Sequence, residues 1–135
     1  MCSSDLVRYA QKANSNLAVL DLMRRKGVLV DAVSAGEIHR ALKVGYKPEE
    51  IVYTADVFDH PALDLVEKHR IPVNCGSADM IAQLGKRCPG RGITLRINPG
   101  FGHGHSQKTN TGGEQSKHGI WHESLAECKI GRAHV

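Results

Sequence analysis

Lys12 is the residue whose surroundings point most directly to chemistry. It follows a short run of mainly apolar residues, 7–10, and precedes small polar residues and a helical pattern that begins at Leu17. In parallel α/β folds, ligands bind beyond the carboxyl ends of the strands, which is where this lysine would lie. A partly dehydrated lysine loses its proton more easily, and a neutral amine can form a Schiff base with an aldehyde. Position alone, however, favours a solvated or ion-paired lysine.

Two further charged residues lie in predicted strands. Arg96 stands between Leu95 and Ile97, and strand alternation places it on the face opposite these neighbours. A buried guanidinium needs an anionic or acceptor partner, so a structural ion pair and a cofactor contact are equally consistent with the pattern. Asp31 lies on the second predicted strand, where an ion pair or a cap is the simplest interpretation.

Residues 98–121 are rich in glycine, histidine, serine, threonine and asparagine, which predicts a long loop. Four histidines in or near it invite a metal-site interpretation: His103, His105, His118 and His122. Flanking glycines and the lack of a carboxylate ligand set make polar loop histidines the simpler interpretation. The run 111–113 resembles a phosphate cradle, but it follows no clear strand and precedes no clear helix.

The elements that must position these residues alternate regularly. Strands are predicted over residues 7–10, 28–33, 51–54, 71–74 and 93–97, with helical patterns between them. Such alternation predicts a parallel sheet with right-handed crossovers. The LxxLxL signature of a leucine-rich solenoid and the GxGxxG signature of a dinucleotide fold are both absent. The prediction is an α/β protein, an incomplete (β/α)₈ TIM barrel of about five βα units, too few to close.

Composition limits the classes of partner. The net charge of +4 is spread along the chain, and its one tight cluster, residues 24–26, closes a predicted helix, where cations complement the helix dipole. The four cysteines form no CxxC pair, which favours a reduced cytoplasmic setting over a zinc or disulfide framework. There is no transmembrane run and no secretory signal. We therefore expect neither nucleic acid nor membrane as a partner.

The two ends of the chain resemble translated sequencing adapter. One back-translation of residues 130–135 has a reverse complement that encodes Val/Met-Cys-Ser-Ser-Asp, which is how the chain opens when GTG serves as the start codon. We therefore expect residues 1–6 and 129–135 to be non-native. Residues 7–128 would then be one partial barrel domain from within a longer gene.

Five segments, in order, resemble the fold-type III, pyridoxal-phosphate-dependent decarboxylases of the alanine-racemase-like type, and among them the bacterial diaminopimelate decarboxylases. They are YAQKANSN, VDAVSAGEIHRAL, IVYTADV, IPVNCGSADM and LRINPGFGHGHSQKTNTGGEQSKHGIW. The resemblance covers nearly all of residues 7–128, so it implies a partial barrel that binds pyridoxal 5'-phosphate. The same family includes ornithine, arginine and carboxynorspermidine decarboxylases.

The resemblance also implies roles for individual residues. Lys12 would be the lysine that forms the Schiff base with the cofactor. Asp31 would lie close to it, Arg96 would stand beside the pyridine ring, and Lys117 would be a further basic residue near the site. The implied reaction converts meso-2,6-diaminopimelate to L-lysine and carbon dioxide, the last step of lysine biosynthesis, with the protein orienting the cofactor.

Several features of the family are absent from this sequence. They are the HIGSG-type segment with its ring-stacking histidine, the phosphate-binding glycine loops, the glutamate that contacts the pyridine nitrogen, and the carboxyl-terminal β-domain with its CESGD-type segment. In the family that last segment reaches the active site of a partner subunit, which implies a homodimer for the intact enzyme. We expect this chain alone to be inactive and marginally folded, because an unclosed barrel exposes strand edges.

Three alternatives remain open from the sequence. The first is another basic-amino-acid decarboxylase of the same fold. The second is a non-catalytic barrel that binds pyridoxal phosphate, although such proteins lack the long GHGHSQKTN loop. The third is a metal-binding α/β module that uses the histidine-rich loop.

Overall fold

The computed structural model describes residues 6–101, 112, 113, 116 and 118–130. The strands are β1 (Arg8–Ala10), β2 (Leu29–Ala32), β3 (Ile51–Ala55), β4 (Val73–Cys75), β5 (Thr94–Leu95), β6 (Ile97–Asn98) and β7 (Ile120–Trp121). The helices are α1 (Leu17–Arg25), α2 (Ala35–Lys43), α3 (His60–His69), α4 (Ala78–Arg87) and α5 (Leu125–Ile130). Short 3₁₀ turns cover Gln11–Ala13, Pro48–Glu50 and His122–Ser124.

Strands β1 to β5 hydrogen-bond in the order of the sequence, and β6 pairs with β7 in a second, two-stranded sheet. The pairs β1–β2, β2–β3 and β4–β5 are parallel. A helix connects each of β1 to β4 to the strand that follows it. This arrangement confirms the predicted α/β class and fits part of a (β/α)₈ barrel.

The chain divides into two compact units, Met1–Thr54 with Asp59–Val73, and Ala55–Phe58 with Asn74–Val135. The core of the first unit consists of apolar side chains from its strands and helices: Leu20, Val30, Ile38, Ile51, Tyr53, Val66 and Ile71. The Tyr46 hydroxyl is also buried and donates to the Val28 carbonyl oxygen at 2.9 Å. Burial of these side chains stabilises the unit because each removes apolar surface from water.

Polar side chains fix the ends of the helices in the first unit. Asn16 caps α1 by accepting a hydrogen bond from the Ala18 N–H, and Asp59 caps α3 by accepting from the Ala62 N–H. Each cap satisfies a backbone donor that the helix itself leaves unpaired. At the other end of α1, Arg24 and Arg25 both pair with Asp21. These two hydrogen bonds hold the pKa of the Asp21 carboxyl below its ordinary value.

Helix α4 of the second unit begins near two residues of the types that cap helices, Ser77 and Asp79. Ser77 is the cap, since its hydroxyl accepts a hydrogen bond from the Met80 N–H, and Asp79 lies in the first turn. Met80 and Leu84, one turn apart on the same helix face, are buried.

The predicted fifth strand, residues 93–97, is wrong as a single strand. The chain leaves the first sheet after Leu95 and enters the second at Ile97, so Arg96 lies between β5 and β6. The Arg96 N–H donates to the Cys75 carbonyl oxygen at 2.9 Å, and its own carbonyl oxygen accepts from the Ile120 N–H at 2.8 Å. Strand alternation therefore does not decide where Arg96 lies, because the residue joins two sheets instead of continuing one.

No helix in the described part of the chain is long and apolar enough to cross a membrane.

Gly76 and Gly85 offer a matched pair of glycine-to-alanine substitutions. A Cβ at Gly76 would lie 2.6 Å from the Ala55 carbonyl oxygen and would overlap the Asp56 carboxylate, whereas a Cβ at Gly85 would meet nothing within 4 Å. We expect G76A to lower the free energy of unfolding by about 1–3 kcal/mol through overpacking. We expect G85A, inside α4, to raise it by about 0.5–1 kcal/mol. Urea unfolding followed by circular dichroism measures both, and equal effects would contradict the packing at Gly76.

Cys75 is fully buried in β4, and this burial raises the pKa of its thiol to about 11 from an ordinary 9.0. Since the thiolate is the reactive form, iodoacetamide at pH 8 should modify the half-buried Cys88 well before Cys75. The Cys75 thiol ionises at a lower pH in the unfolded chain than in the folded protein. Its ionisation should therefore lower the free energy of unfolding as the pH rises from about 9 to about 11. Mass spectrometry of the alkylated protein checks the first expectation. Loss of part of this pH dependence in Cys75→Ala checks the second.

Candidate functional site

Lys12 lies where the sequence predicts, in the 3₁₀ turn Gln11–Ala13 directly after β1. Its side chain is exposed, and no hydrogen bond or ion pair joins it to another residue in the described ranges. The Tyr9 hydroxyl, which precedes the turn, donates to the carbonyl oxygen of Asn14, which follows it, at 2.9 Å. The Asn14 side chain accepts from the Asn16 N–H at 3.0 Å. The polar residues around Lys12 therefore hold the turn and leave the amine accessible.

Gln11 is the neighbour that sequence reasoning missed. Its side chain is 1% exposed, and neither amide atom has a hydrogen-bond partner among the described residues. A buried amide without a partner costs about 1–3 kcal/mol, so such groups are uncommon in folded proteins. The only sequence signal is a glutamine that follows a mainly apolar run, and strand propensity alone does not show whether such a glutamine is buried or exposed.

Asp31 lies in β2, on the strand next to the one that leads to Lys12. In the parallel register its Cα is opposite Ala10, two residues before the lysine. The side chain is half-buried, and one carboxylate oxygen is removed from solvent. Parallel pairing of β1 with β2 thus brings Asp31 to the strand end from which the lysine turn begins.

Ser34 and Glu37, which follow Asp31 in the sequence, have structural roles. The Ser34 hydroxyl caps α2 by accepting from the Glu37 N–H at 3.3 Å. The Glu37 carboxylate accepts from the Val33 N–H at 2.8 Å. Both side chains therefore belong to the start of the helix, as expected for a first-turn acid and a cap.

The two remaining predicted site residues fall on the second half of the chain. Arg96 belongs to the second unit and is half-buried at the junction of β5 and β6. Lys117 lies outside the described residues, as do His103 and His105. The role predicted for Lys117 rests on the sequence resemblance alone.

Asp56, directly after β3, is a second residue that sequence reasoning missed. Its carboxylate contacts two consecutive residues of the loop that precedes β7: the Nδ1 atom of His118 at 2.9 Å and the N–H of Gly119 at 3.2 Å. These residues are more than sixty positions apart, so no local spacing links them. The only sequence hint is that Asp56 and His118 both lie in segments that carry the family resemblance.

Asn98, at the end of β6, is buried and fastens the beginning of the long loop to a later part of it. Its side-chain oxygen accepts from the N–H groups of Gly100 and Gly113 at 3.1 and 3.0 Å, and its amide donates to the Gly113 carbonyl oxygen at 3.0 Å. Gly113 therefore gives its N–H to Asn98, which weakens the interpretation of residues 111–113 as a phosphate cradle. Thr111 itself lies outside the described residues.

The described histidines near this loop make contacts other than metal ligation. His118 binds Asp56, and the ring of His122 packs against that of Trp121 with centroids 4.7 Å apart. Within the ranges that the structure covers, no group of three or more histidine, cysteine, aspartate or glutamate side chains could hold a metal ion.

Comparison with known proteins places these features in a family. The protein named diaminopimelate decarboxylase from Escherichia coli K12 is 61% identical over 125 residues, which cover 90% of this chain and 30% of the relative. A crystal structure of a diaminopimelate decarboxylase superposes with a TM-score of 0.88 at 58% identity, over 94% of this chain and 31% of that one. The enzyme from Helicobacter pylori in complex with L-lysine superposes with a TM-score of 0.83 at 32% identity, over 93% and 33% of the two chains.

The chain thus spans about 30% of the length of the curated relatives it matches. The match to the family model described as pyridoxal-dependent decarboxylase, pyridoxal binding domain, extends over residues 3–133, nearly the whole chain. The parallel βα framework also presents an exposed lysine after its first strand. The chain therefore belongs to the pyridoxal-dependent decarboxylases.

Proposed function

We propose that this chain is part of the barrel of a diaminopimelate decarboxylase, which converts meso-2,6-diaminopimelate to L-lysine and carbon dioxide. The observation that carries the proposal is the exposed Lys12 on the turn after β1, in a chain 61% identical to the Escherichia coli enzyme of that name. The Helicobacter pylori relative in complex with L-lysine supports lysine as the product.

The residues around Lys12 fit pyridoxal phosphate. An aldehyde requires an accessible primary amine, and Lys12 offers one. The buried Gln11 amide beside it has a donor and an acceptor without partners in the described part of the chain, which suits a site where further polar groups bind. When bound, pyridoxal phosphate supplies an aldehyde carbon for the amine and a ring that accepts the electrons released with carbon dioxide.

The side chains of this protein would bind and orient the cofactor and the substrate, and would transfer protons. The Nζ atom of Lys12 would hold the aldehyde and, as an amine, could also carry a proton to or from the reacting carbon. Arg96 and Lys117 would attract anionic groups of the cofactor or the substrate, because guanidinium and ammonium groups donate charge-assisted hydrogen bonds to anions. Asp31 would act close to the cofactor from the strand next to that of Lys12.

The assembly and location of the intact enzyme are also proposed from the family. The resemblance supports a homodimer, in which a segment of the partner subunit would contribute to the active site. A cytoplasmic location is consistent with the scattered cysteines and with a biosynthetic role.

Reduction with borohydride tests the role of Lys12. The protein would be a chimera in which the matching part of this chain replaces the corresponding 125 residues of the Escherichia coli relative, loaded with pyridoxal phosphate. We expect one pyridoxyl group on Lys12, found by peptide mass spectrometry. Lys12→Ala should abolish this label and lower the decarboxylation rate by at least about 100-fold, because it removes both the amine and a positioned proton carrier.

The matched control for this experiment is Lys47→Ala, since Lys47 is another exposed lysine of the first unit, at the start of a 3₁₀ turn. It should leave the label and the rate unchanged. A label on a different lysine of the chimera, or none, would refute the assignment of Lys12.

Substrate preference tests the choice of reaction. The value of kcat/KM for meso-diaminopimelate in the same chimera should exceed the values for ornithine and arginine by roughly 100-fold or more, because a site built for a distal carboxylate leaves polar groups unpaired with the others. A preference for ornithine or arginine would favour another decarboxylase of the same fold. The 135-residue chain alone should show no decarboxylation.

A further inference from the structure

Gln11 carries a buried amide directly before Lys12. Its side chain is 1% exposed, and within the described residues neither Oε1 nor Nε2 has a hydrogen-bond partner. Asn98, which is also buried, uses its side-chain oxygen and nitrogen in three hydrogen bonds. Because a buried amide group without a partner costs free energy, the observed conformation of the Lys12 turn is disfavoured by the groups that Gln11 leaves unpaired.

The chain is fixed on both sides of this turn. Before it, the parallel pairing of β1 with β2 extends to Ala10. After it, the Asn14 side chain accepts from the Asn16 N–H at 3.0 Å, and the Asn16 side chain caps α1. The three residues between these anchors, 11–13, form a 3₁₀ turn without a side-chain cap. A change in the position of Lys12 relative to β1 and α1 therefore requires a change in this turn alone.

The unpaired amide affects how easily the turn changes. Any other conformation in which Oε1 or Nε2 of Gln11 gains a partner, from the protein or from water, is favoured by the cost that is then relieved. That cost corresponds to a factor of about 5 to 150 in the population ratio of two conformations. Gln11 thus lowers the free energy needed to move the turn that carries Lys12.

We propose that Gln11 is a positioning residue that lets the Lys12 turn exchange between the observed conformation and a second one, in which the Gln11 amide is paired. The inference rests on the proposed function, because the Lys12 amine would have to bond to the aldehyde of the cofactor and leave it again in each turnover. Conformational steps of this kind limit the turnover of many enzymes. An apolar side chain at position 11 would stabilise the observed conformation and slow the exchange.

Three substitutions in the chimera test this role. Gln11→Met has an unbranched side chain of similar length without an amide, so it removes the unpaired groups and largely keeps the packing. Gln11→Asn keeps an amide on a side chain that is one methylene shorter. Gln83→Met is the matched control, since Gln83 is an exposed glutamine on α4.

Two measurements on the apoprotein do not depend on the cofactor. Gln11→Met should raise the urea midpoint of unfolding, because it removes buried groups without partners. Native-state hydrogen exchange at Ala13 and Asn14, whose N–H groups the i→i+3 pattern of the turn protects, should slow about fivefold or more in this variant. Exchange at both amides should stay fast in Gln11→Asn and Gln83→Met.

A third measurement follows the release of Lys12 from the cofactor. Hydroxylamine takes the aldehyde from the lysine of the loaded chimera, and the change in cofactor absorbance gives the rate. We expect this rate and kcat for meso-diaminopimelate to fall about fivefold or more in Gln11→Met and to stay close to the unsubstituted values in the other two variants. Borohydride should still label Lys12 fully in all three, because the amine itself is unchanged.

A lower urea midpoint or a failure to fold in Gln11→Met would overturn the proposal, because the amide would then have a partner that stabilises the observed conformation. Unchanged hydrogen exchange at Ala13 and Asn14, or an unchanged release rate, would overturn it as well. So would equal slowing in Gln11→Met and Gln11→Asn, since the amide would then not set the rate. Failure to label Lys12 in the unsubstituted chimera would instead refute the proposed function, which the apoprotein measurements do not involve.

Discussion

The parallel hydrogen bonding of β1 with β2 is the constraint on which the lysine site depends. It places Ala10 opposite Asp31 and so fixes the residue at which the chain leaves the strand. In the 3₁₀ turn that follows, Gln11 is buried and Lys12 is exposed. A shift of one residue in this register would move the side chains of β1 to the opposite faces of the sheet and displace the turn that carries Lys12, because successive residues of a strand point to opposite faces. The accessible amine is therefore a consequence of strand pairing.

Short polar side chains then determine where each helix begins relative to its strand. Asn16, Ser34, Asp59 and Ser77 cap α1 to α4. Because each of these four helices has its cap within a few residues of the preceding strand's end, each of these strand–helix connections is short, and short connections suit a parallel sheet. The capping residues thus favour the same helix starts that the regular strand spacing predicts, so local sequence preferences agree with the overall fold.

The second unit differs from the first, since its fold depends on contacts between residues far apart in sequence. Arg96 leaves one sheet and enters another because its N–H reaches Cys75 while its carbonyl oxygen reaches Ile120. Asp56 and Asn98 add side-chain hydrogen bonds to glycine backbones of the long loop. Glycine is needed at 119, because its φ is positive and a Cβ there would come too close to the backbone of residues 96 and 98.

The sequence by itself determined the α/β class, the order of the first four strands with their helices, and the position of Lys12 after β1. These features depend on hydrophobic period, capping residues and a motif within eight consecutive residues, all of which are local. Ser77 or Asp79 could equally start a helix on sequence grounds, and only the structure selects Ser77.

Only the tertiary structure decided the break at Arg96, the strand β7 within the long loop, the buried Gln11 and the pairing of Asp56 with His118. A two-residue strand such as β7 has no period to detect, and it forms because β6 lies beside it. Burial of Gln11 and the meeting of Asp56 with His118 are set by residues distant in the chain. No pattern of neighbouring residues carries that information, since such contacts exist only once the chain has folded.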